Sequence, residues 1–147
     1  MIYTTTSPQQ TSELAVCFAS ELSAGDVVCL HGDLGAGKTL FTKGLALGLG
    51  VDETVTSPTF TIVSEYRSGR VPLFHFDVYR LGSSEGLEDT AFFDYVGSEG
   101  IVVIEWAEFI EDVLRESVHP DKRVDITITS MEDCAQTRQI RIQRGTL

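Results

Sequence analysis

Hydrophobic and polar positions along the chain predict a sheet whose central strands are buried on both faces. Residues 27–30 (VVCL) and 101–104 (IVVI) are continuously apolar, as is typical of parallel strands that helices cover on either side. Residues 60–66 and 71–78 are two strand-like runs around a polar turn, which predicts an antiparallel hairpin. We therefore expect parallel strands at the centre of the sheet and a hairpin beside them.

The two ends of the chain predict further strands. Residues 1–6 alternate weakly between polar and apolar side chains and predict an edge strand. Residues 124–129 and 140–142 alternate more clearly, so one face of each strand should be exposed. The chain is thus expected to finish in an antiparallel pair at the edge of the sheet.

Two segments have the spacing of amphipathic helices. The first begins with Ser7 and Pro8, residue types that suit an N-cap and a first helical position. The second covers residues 40–49, where Gly44 and Gly48 are expected to allow close packing on the sheet. The apolar face predicted for the first helix consists of Leu14, Cys17, Phe18 and Leu22.

The segment between the first buried strand and the second helix carries the clearest chemistry. Residues 32–39 (GDLGAGKT) fit the phosphate-binding pattern G-x-x-x-x-G-K-[ST] at every fixed position. Lys38 would reach the β and γ phosphates, and the hydroxyl of Thr39 would bind Mg²⁺. The sequence therefore predicts a nucleoside triphosphate site. The residues expected to contact the nucleotide are Asp33, Leu34, Gly35, Ala36, Gly37, Lys38, Thr39 and Leu40.

Acidic residues at strand ends are candidates to complete this site. A P-loop needs a carboxylate for its metal or attacking water, usually where an adjacent parallel strand ends. Glu105 follows the second apolar run and is the leading candidate. Asp77 closes another strand and lies either near the same ion or beside Arg80 as a structural partner. His75 shares the strand face of Asp77, and we interpret it as a buried histidine with satisfied hydrogen bonds.

The segment 57–61 (SPTFT) follows the P-loop helix, where nucleotide-sensing switches often lie. Thr59 or Thr61 would then contact the γ-phosphate, and a rigid turn into the hairpin is the alternative. The chain contains no asparagine, so it has no N-K-x-D motif for guanine, and ATP is the favoured nucleotide. It also lacks an arginine-rich lid segment of the kind found in small-molecule kinases.

Composition narrows the class of protein. The 147 residues are enough for a single domain, 1–147. The net charge of −11 argues against direct binding to a nucleic acid backbone. The three cysteines have no metal-binding spacing, which favours reduced thiols in a cytoplasmic protein. The sequence shows no leader pattern and no membrane span.

Four motifs, read together, resemble the bacterial TsaE (YjeE) family. They are the P-loop 32–39, the segment 57–61, HFDVYRL at 75–81, and IEW at 104–106. The resemblance covers most of the chain in order. It implies a P-loop ATPase that supports threonylcarbamoyl transfer to adenosine 37 of tRNA together with the TsaD and TsaB proteins, so that tRNA is reached only through them.

The resemblance also assigns roles to individual residues. It implies that Thr39 and Glu105 hold Mg²⁺ and that Asp77 is needed for function. A helix start at Pro8 to Thr11 and the C-terminal Arg138 would lie near the adenine.

Together these observations predict a three-layer P-loop fold with a mostly parallel central sheet, an antiparallel hairpin and a C-terminal edge pair. The predicted catalytic residues are Lys38, Glu105 and Asp77. MgATP hydrolysis should be slow alone and stimulated by the partners, with no metabolite substrate other than ATP. A small-molecule kinase and a nucleotide-gated binding module without significant turnover are the alternatives.

Overall fold

The computed structural model describes residues 1–33, 35–58 and 62–145. Its strands are β1 Ile2–Thr5, β2 Val27–His31, β3 Val63–Tyr66, β4 Leu73–Asp77, β5 Ile101–Glu105, β6 Arg123–Met131 and β7 Cys134–Arg144. Its α-helices are α1 Pro8–Ala19, α2 Lys38–Gly48, α3 Phe92–Tyr95 and α4 Glu111–Ser117. Short 3-10 turns lie at Leu87–Asp89, Ala107–Ile110 and Pro120–Lys122. The strands form a seven-stranded sheet in the order β1-β7-β6-β2-β5-β4-β3.

The strands at the centre of this sheet run parallel. β2 pairs with β5 on one side and with β6 on the other, and β4 pairs with β5. All five residues of β5 are buried, as the continuous apolar run predicts. Because the carboxyl ends of parallel strands meet at one edge, β2, β4 and β5 bring their last residues to the same place. The loop at residue 32 starts at this edge.

A helical layer covers each face of the sheet. On one face α1 and α2 pack over the strands, with Phe18, Phe41 and Leu45 in the hydrophobic core. On the other face Phe92 of α3 and Leu114 of α4 lie in a second core. Alternate strand residues enter the two cores because successive side chains point to opposite faces. The predicted three-layer α/β fold is confirmed.

The two helices on the first face pack more closely than the sequence suggests. A Cβ atom on Gly44 would lie 2.6 Å from the Cβ of Ala15, and one on Gly48 would lie 2.5 Å from the carbonyl oxygen of Val16. Both glycines therefore face α1, and the prediction that they face the sheet is wrong. The bulky residues of α2, such as Phe41, point to the sheet instead.

This close contact also changes the buried face of α1. Ala15 and Ala19 are fully buried, whereas Cys17 is exposed and Leu14 is only partly buried. The prediction for α1 relied on its larger apolar side chains. Small side chains are buried instead where a neighbouring helix approaches closely. The N-cap prediction is confirmed, since the side chain of Ser7 accepts a hydrogen bond from the amide of Gln10.

The C-terminal antiparallel pair is present, but it is not outermost in the sheet. β6 pairs with β2 on its inner side, and β1 pairs antiparallel with the outer side of β7. The N-terminal strand takes the edge because β7, at 11 residues, leaves a long row of backbone groups to pair. In the described part of the chain no helix has both the length and the hydropathy to cross a bilayer.

Candidate functional site

The loop that joins β2 to α2 is shaped by glycines. Gly32 has φ +151°, and a Cβ there would lie 2.6 Å from the carbonyl oxygen of Ile128 in β6. Gly37 has φ +118° and caps the N-terminus of α2. Apart from the adjacent residues of the chain itself, no described atom lies within 4 Å of a Cβ built on Gly35 or Gly37. The loop therefore borders free space at a helix N-terminus, where an anion is favoured.

Lys38 is held inside this loop. Lys38 is only 5% exposed, and its Nζ donates a hydrogen bond to the carbonyl oxygen of Gly32 at 2.6 Å. Nζ also lies 3.2 Å from the ring centroid of Trp106, a cation–π contact. Burial lowers the pKa of Lys38, against the opposing charges of Glu108 and Glu105. The ammonium group is thus positioned beside the free space.

The hydroxyl of Thr39 lies between the side chains of Glu105 and Ser57. Its Oγ1 is 3.1 and 3.2 Å from the two carboxylate oxygens of Glu105, and 2.8 Å from Oγ of Ser57. A threonine hydroxyl has a single hydrogen to donate. Thr39 therefore donates to Glu105 and accepts from Ser57, and the three side chains form one hydrogen-bonded row.

Behind Glu105 lies a buried histidine. Nε2 of His75 is 2.6 Å from Oε2 of Glu105, and His75 is fully buried while Glu105 is 3% exposed. Nδ1 of His75 has no hydrogen-bond partner among the described residues. The expectation of a histidine with satisfied hydrogen bonds is confirmed for Nε2, which contacts the carboxylate of Glu105, and is wrong for Nδ1.

Asp77 lies beside Glu105 at the same strand ends. The two residues pair in register across β4 and β5, and Oδ1 of Asp77 accepts a hydrogen bond from the amide of Tyr79 at 3.0 Å. Burial raises the pKa of Asp77, and the neighbouring charge of Glu105 adds to this effect. Two carboxylates thus converge where β4 and β5 end.

These side chains line a cavity of about 250 Å³, here called the Lys38 cavity. Its lining residues are Gly35, Gly37, Lys38, Thr39, Leu40, Ser57, Asp77, Glu105 and Trp106. Hydroxyl and carboxylate oxygens are the ligands that Mg²⁺ prefers. Within the ranges that the structure describes, no three His, Cys, Asp or Glu side chains are grouped to hold a metal. That donor set fits an ion that takes few protein ligands and completes its shell with phosphate and water.

Trp106 closes one side of the Lys38 cavity with an unusual backbone conformation. Its φ of 65° is the only positive value among the described residues other than glycine, and strain of this kind costs roughly 1–3 kcal/mol. The ring stacks on Phe109 with centroids 5.6 Å apart and lies 4.9 Å from Tyr79. This turn directs Glu105 and the Trp106 ring into the same cavity.

A second cavity, of about 220 Å³ and here called the Arg138 cavity, adjoins the first. It is lined by Pro8, Thr11, Gly35, Ala36, Gly37, Leu40, Ala135, Gln136 and Arg138. Nε of Arg138 donates to the carbonyl oxygen of Ala36 at 2.8 Å, which ties β7 to the loop. Gly35, Gly37 and Leu40 line both cavities, so the two border the same loop.

A buried ionic network lies near the start of the loop. The guanidinium of Arg123 contacts Glu111 at 2.6 and 2.7 Å and Asp125 at 2.9 and 3.0 Å. Oδ1 of Asp125 is in turn 2.8 Å from Nε2 of His31. Burial lowers the pKa of His31, but hydrogen bonds with Asp125 and Glu108 outweigh it and raise the pKa to about 9. The network connects the end of β2 to β6 and α4.

The structure brings most of the predicted site residues into these two cavities. Lys38, Thr39, Asp77 and Glu105 line the first, and Pro8, Thr11 and Arg138 line the second with the loop residues. Asp33 is an exception, because it is exposed and lines neither cavity. Leu34, Thr59 and Thr61 lie outside the described residues.

Sequence reasoning missed several residues of the site. Ser57 stands in a segment where only the threonines were considered, although its place after the P-loop helix was a usable signal. The contact of His75 with Glu105 depends on the register of β4 against β5, which the sequence does not show. Ala135 and Gln136 belong to β7, just before Arg138, and no motif marks them.

Comparison with known proteins identifies relatives across nearly the whole chain. Residues 5–140 match the family model of the threonylcarbamoyl adenosine biosynthesis protein TsaE. The tRNA threonylcarbamoyladenosine biosynthesis protein TsaE of Bacillus subtilis is 44% identical over 129 residues, which cover 88% of this chain and 77% of that protein. The protein of the same name from Treponema pallidum is 43% identical over 127 residues, covering 86% of this chain and 90% of the relative.

A solved structure has the same fold. The crystal structure of Bacillus subtilis YdiB superposes with a TM-score of 0.77 and is 36% identical in sequence. The similarity covers 99% of this chain and 86% of YdiB. The layered arrangement of sheet and helices is therefore shared over essentially the full length.

Proposed function

This chain belongs to the TsaE family of tRNA threonylcarbamoyladenosine biosynthesis proteins, and on that premise we propose that it is an ATPase of this pathway. It binds MgATP across the Lys38 and Arg138 cavities and hydrolyses it slowly. TsaD and TsaB stimulate the hydrolysis, and tRNA is reached through them. We place this activity in the cytoplasm, where the three free cysteines would remain reduced.

One observation carries this proposal. The Thr39 hydroxyl at the start of α2 lies 3.1 Å from the carboxylate of Glu105, which ends the adjacent parallel strand. A hydroxyl after the P-loop lysine and an acid at the end of a neighbouring strand are the pair that P-loop NTPases use to hold magnesium. The pair forms here from residues 66 positions apart in sequence.

The residues of the Lys38 cavity have separable tasks in this mechanism. Lys38 would donate to phosphate oxygens and stabilise the charge that develops on the transferred group. Thr39 and Glu105 would hold Mg²⁺, which when bound neutralises phosphate charge. Asp77, whose carboxylate faces the same cavity, would orient the attacking water. Free space at the α2 N-terminus accommodates the phosphates themselves.

The Arg138 cavity would receive the base and sugar. Pro8 and Leu40 supply apolar surface there, and a nucleobase needs such surface together with a few polar contacts. Nε of Arg138 donates a hydrogen bond to the loop carbonyl of Ala36, and this bond fixes the position of Arg138 relative to the phosphate loop. Because the two cavities border the same loop, one nucleotide bound there would extend into both.

Partner stimulation follows from what the site contains. Arginine fingers speed phosphoryl transfer by large factors in related P-loop enzymes. Among the described lining residues of the two cavities the one arginine is Arg138, in the Arg138 cavity. Its guanidinium donates hydrogen bonds to the carbonyl oxygens of Ala36, Ala135 and Thr137. We therefore expect a group from the partner complex to complete the catalytic site.

The direct test is ATP hydrolysis at fixed Mg²⁺, with and without purified TsaB–TsaD complex and tRNA. We expect slow turnover by the native chain alone, stimulation by the complex, and loss of both in Lys38→Ala. Tight ATP binding with no hydrolysis under either condition would contradict the proposal and favour a nucleotide-gated binding module.

A further inference from the structure

The buried imidazole of His75 has a polar environment that core packing alone does not explain. It lies on the α2 face of β4, between Leu73 and Asp77, and it is fully buried. Within the described chain its one hydrogen-bond contact is Nε2 to Oε2 of Glu105, at 2.6 Å, and Nδ1 has none. A buried polar atom without a hydrogen-bond partner destabilises the fold. An apolar residue would fill the same space without that cost.

We propose that His75 is a positioning residue, which holds the carboxylate of Glu105 in the orientation that binds Mg²⁺ together with Thr39. This inference rests on the proposed function, because it assigns a role toward the metal of that same site. His75 does not line the Lys38 cavity, so it acts through Glu105 and not on the nucleotide.

The geometry around Glu105 supports this role. One carboxylate oxygen, Oε2, receives the contact from His75 at 2.6 Å, and both oxygens lie within 3.2 Å of the Thr39 hydroxyl. The carboxylate is therefore held between a ring on its buried side and a hydroxyl on its cavity side. Without the ring, the carboxylate of Glu105 could rotate about its side-chain torsions. The acid would remain at the site, but its orientation would no longer be fixed.

Backbone register explains why a histidine at this position can reach the acid. His75 pairs with Val103 across β4 and β5, and Glu105 is two residues further on the same face. A diagonal neighbour of this kind is within reach of a ring side chain. Outer partners of metal ligands typically change metal affinity or activity by about 10–100-fold when they are removed.

The test compares ATP affinity with and without magnesium. Calorimetry gives the dissociation constant of ATP in excess Mg²⁺ and again in EDTA. The magnesium-dependent ratio is the constant in EDTA divided by the constant in Mg²⁺, and it measures how strongly the site couples metal binding to nucleotide binding. The variants are His75→Leu, which removes the hydrogen bond, and His75→Gln, whose amide N–H replaces the Nε2 donor. Phe76→Leu is the matched control, since it disturbs β4 on the opposite face of the sheet.

We expect the magnesium-dependent ratio to fall about tenfold in His75→Leu, toward one, while the affinity in EDTA stays within about threefold of native. His75→Gln should recover most of the ratio, and Phe76→Leu should leave it unchanged. A core-filling role would not produce this pattern, because lost packing would lower the affinity in EDTA as well or leave both affinities unchanged. Unfolding curves verify that each variant is folded.

Other outcomes separate the two levels of the inference. A folded His75→Leu protein with the native ratio would overturn the role of His75 and leave the proposed function intact. A native protein whose ATP affinity is independent of Mg²⁺, or that binds no ATP, would contradict the proposed function and the role of His75 with it. If His75→Leu does not fold, His75→Asn replaces it, because its shorter amide cannot reach Glu105, and equal ratios in Asn and Gln variants would overturn the proposal.

Discussion

In the Lys38 cavity the polar side chains contact one another directly, whereas in the Arg138 cavity the guanidinium is held by main-chain carbonyls. Thr39, Ser57, Glu105 and His75 form one continuous hydrogen-bonded row. Arg138 instead donates to carbonyl oxygens of the loop and of its own strand, β7. The side chains of the first cavity therefore hold one another in position at the carboxyl ends of β4 and β5.

The origin of the two linings explains this difference. The Lys38 cavity is built mainly on β4, β5 and the start of α2, and β4 and β5 are adjacent parallel strands of the sheet. The Arg138 cavity lies between the first turn of α1, the loop with the start of α2, and the last strand, β7, so part of its lining comes from opposite ends of the chain. We infer that the first cavity determines chemistry and that the second determines which base is bound.

The largest expected effect is on the carboxylate of the Lys38 cavity. Glu105→Gln keeps the size of the side chain and its contact with His75 but removes its charge, so hydrolysis should fall by at least about a hundredfold. ATP binding in the absence of metal should remain near native. Steady-state phosphate release measures the first quantity and calorimetry the second. Glu116→Gln, an exposed acid on α4, is the control, and equal hydrolysis in the two variants would contradict the assignment.

The packing of the loop on β6 can be tested by substituting two of its glycines. Gly32→Ala combines a positive φ with a contact of 2.6 Å to the backbone oxygen of Ile128, so we expect it to lower the free energy of unfolding by about 3 kcal/mol. Gly35→Ala has the positive φ without a described neighbour within 4 Å, and about 1–2 kcal/mol is expected. Urea unfolding measures both, and equal losses would argue against a loop packed on β6.

The division of labour between the cavities predicts a selective effect of Arg138. Arg138→Ala should weaken ATP binding by about tenfold, since it removes a charged partner near the base and sugar. Binding of inorganic triphosphate, which has no base, should change little. Arg141→Ala, an exposed arginine on the same strand, is the control. Equal weakening of both ligands would mean that Arg138 acts on the phosphates.

The smallest effect is expected from the ionic network below the loop. The pKa of His31 is raised to about 9 from an ordinary value of 6.5. Protonated His31 therefore stabilises the fold fully below pH 6.5, and this contribution is lost as the pH rises through about 9. Relative to His31→Gln, the native protein should lose on the order of 1 kcal/mol across that window. Unfolding curves at several pH values measure it, with exposed His119→Gln as control.

The central part of the fold could be predicted because its signals are local. The apolar runs at β2 and β5 indicate buried parallel strands, and the motif between β2 and α2 predicts the position of the loop. The acid at the end of β5 could be proposed for the same reason, since a strand and its last residue are both visible in the sequence. The family resemblance is confirmed by the comparisons.

Features that depend on distance across the fold could not be predicted. The burial of Ala15 and the orientation of Gly44 follow from how closely α1 and α2 approach, which neither helix reveals alone. The placement of β1 outside β7 is a choice among free strand edges. The contact between His75 and Glu105 requires the register of two strands. In each case a second segment decides what the first one does.

The measurement that tests the account most directly is calorimetric binding of MgATP to the native chain, to Lys38→Ala and to Lys43→Ala. Both lysines lie on α2, but Lys38 is buried in the loop and Lys43 is exposed. We predict saturable binding at one site, weakened by at least about tenfold in Lys38→Ala and unchanged in Lys43→Ala. Equal affinity in all three proteins, or no binding to the native chain, would contradict the assignment of the cleft to ATP.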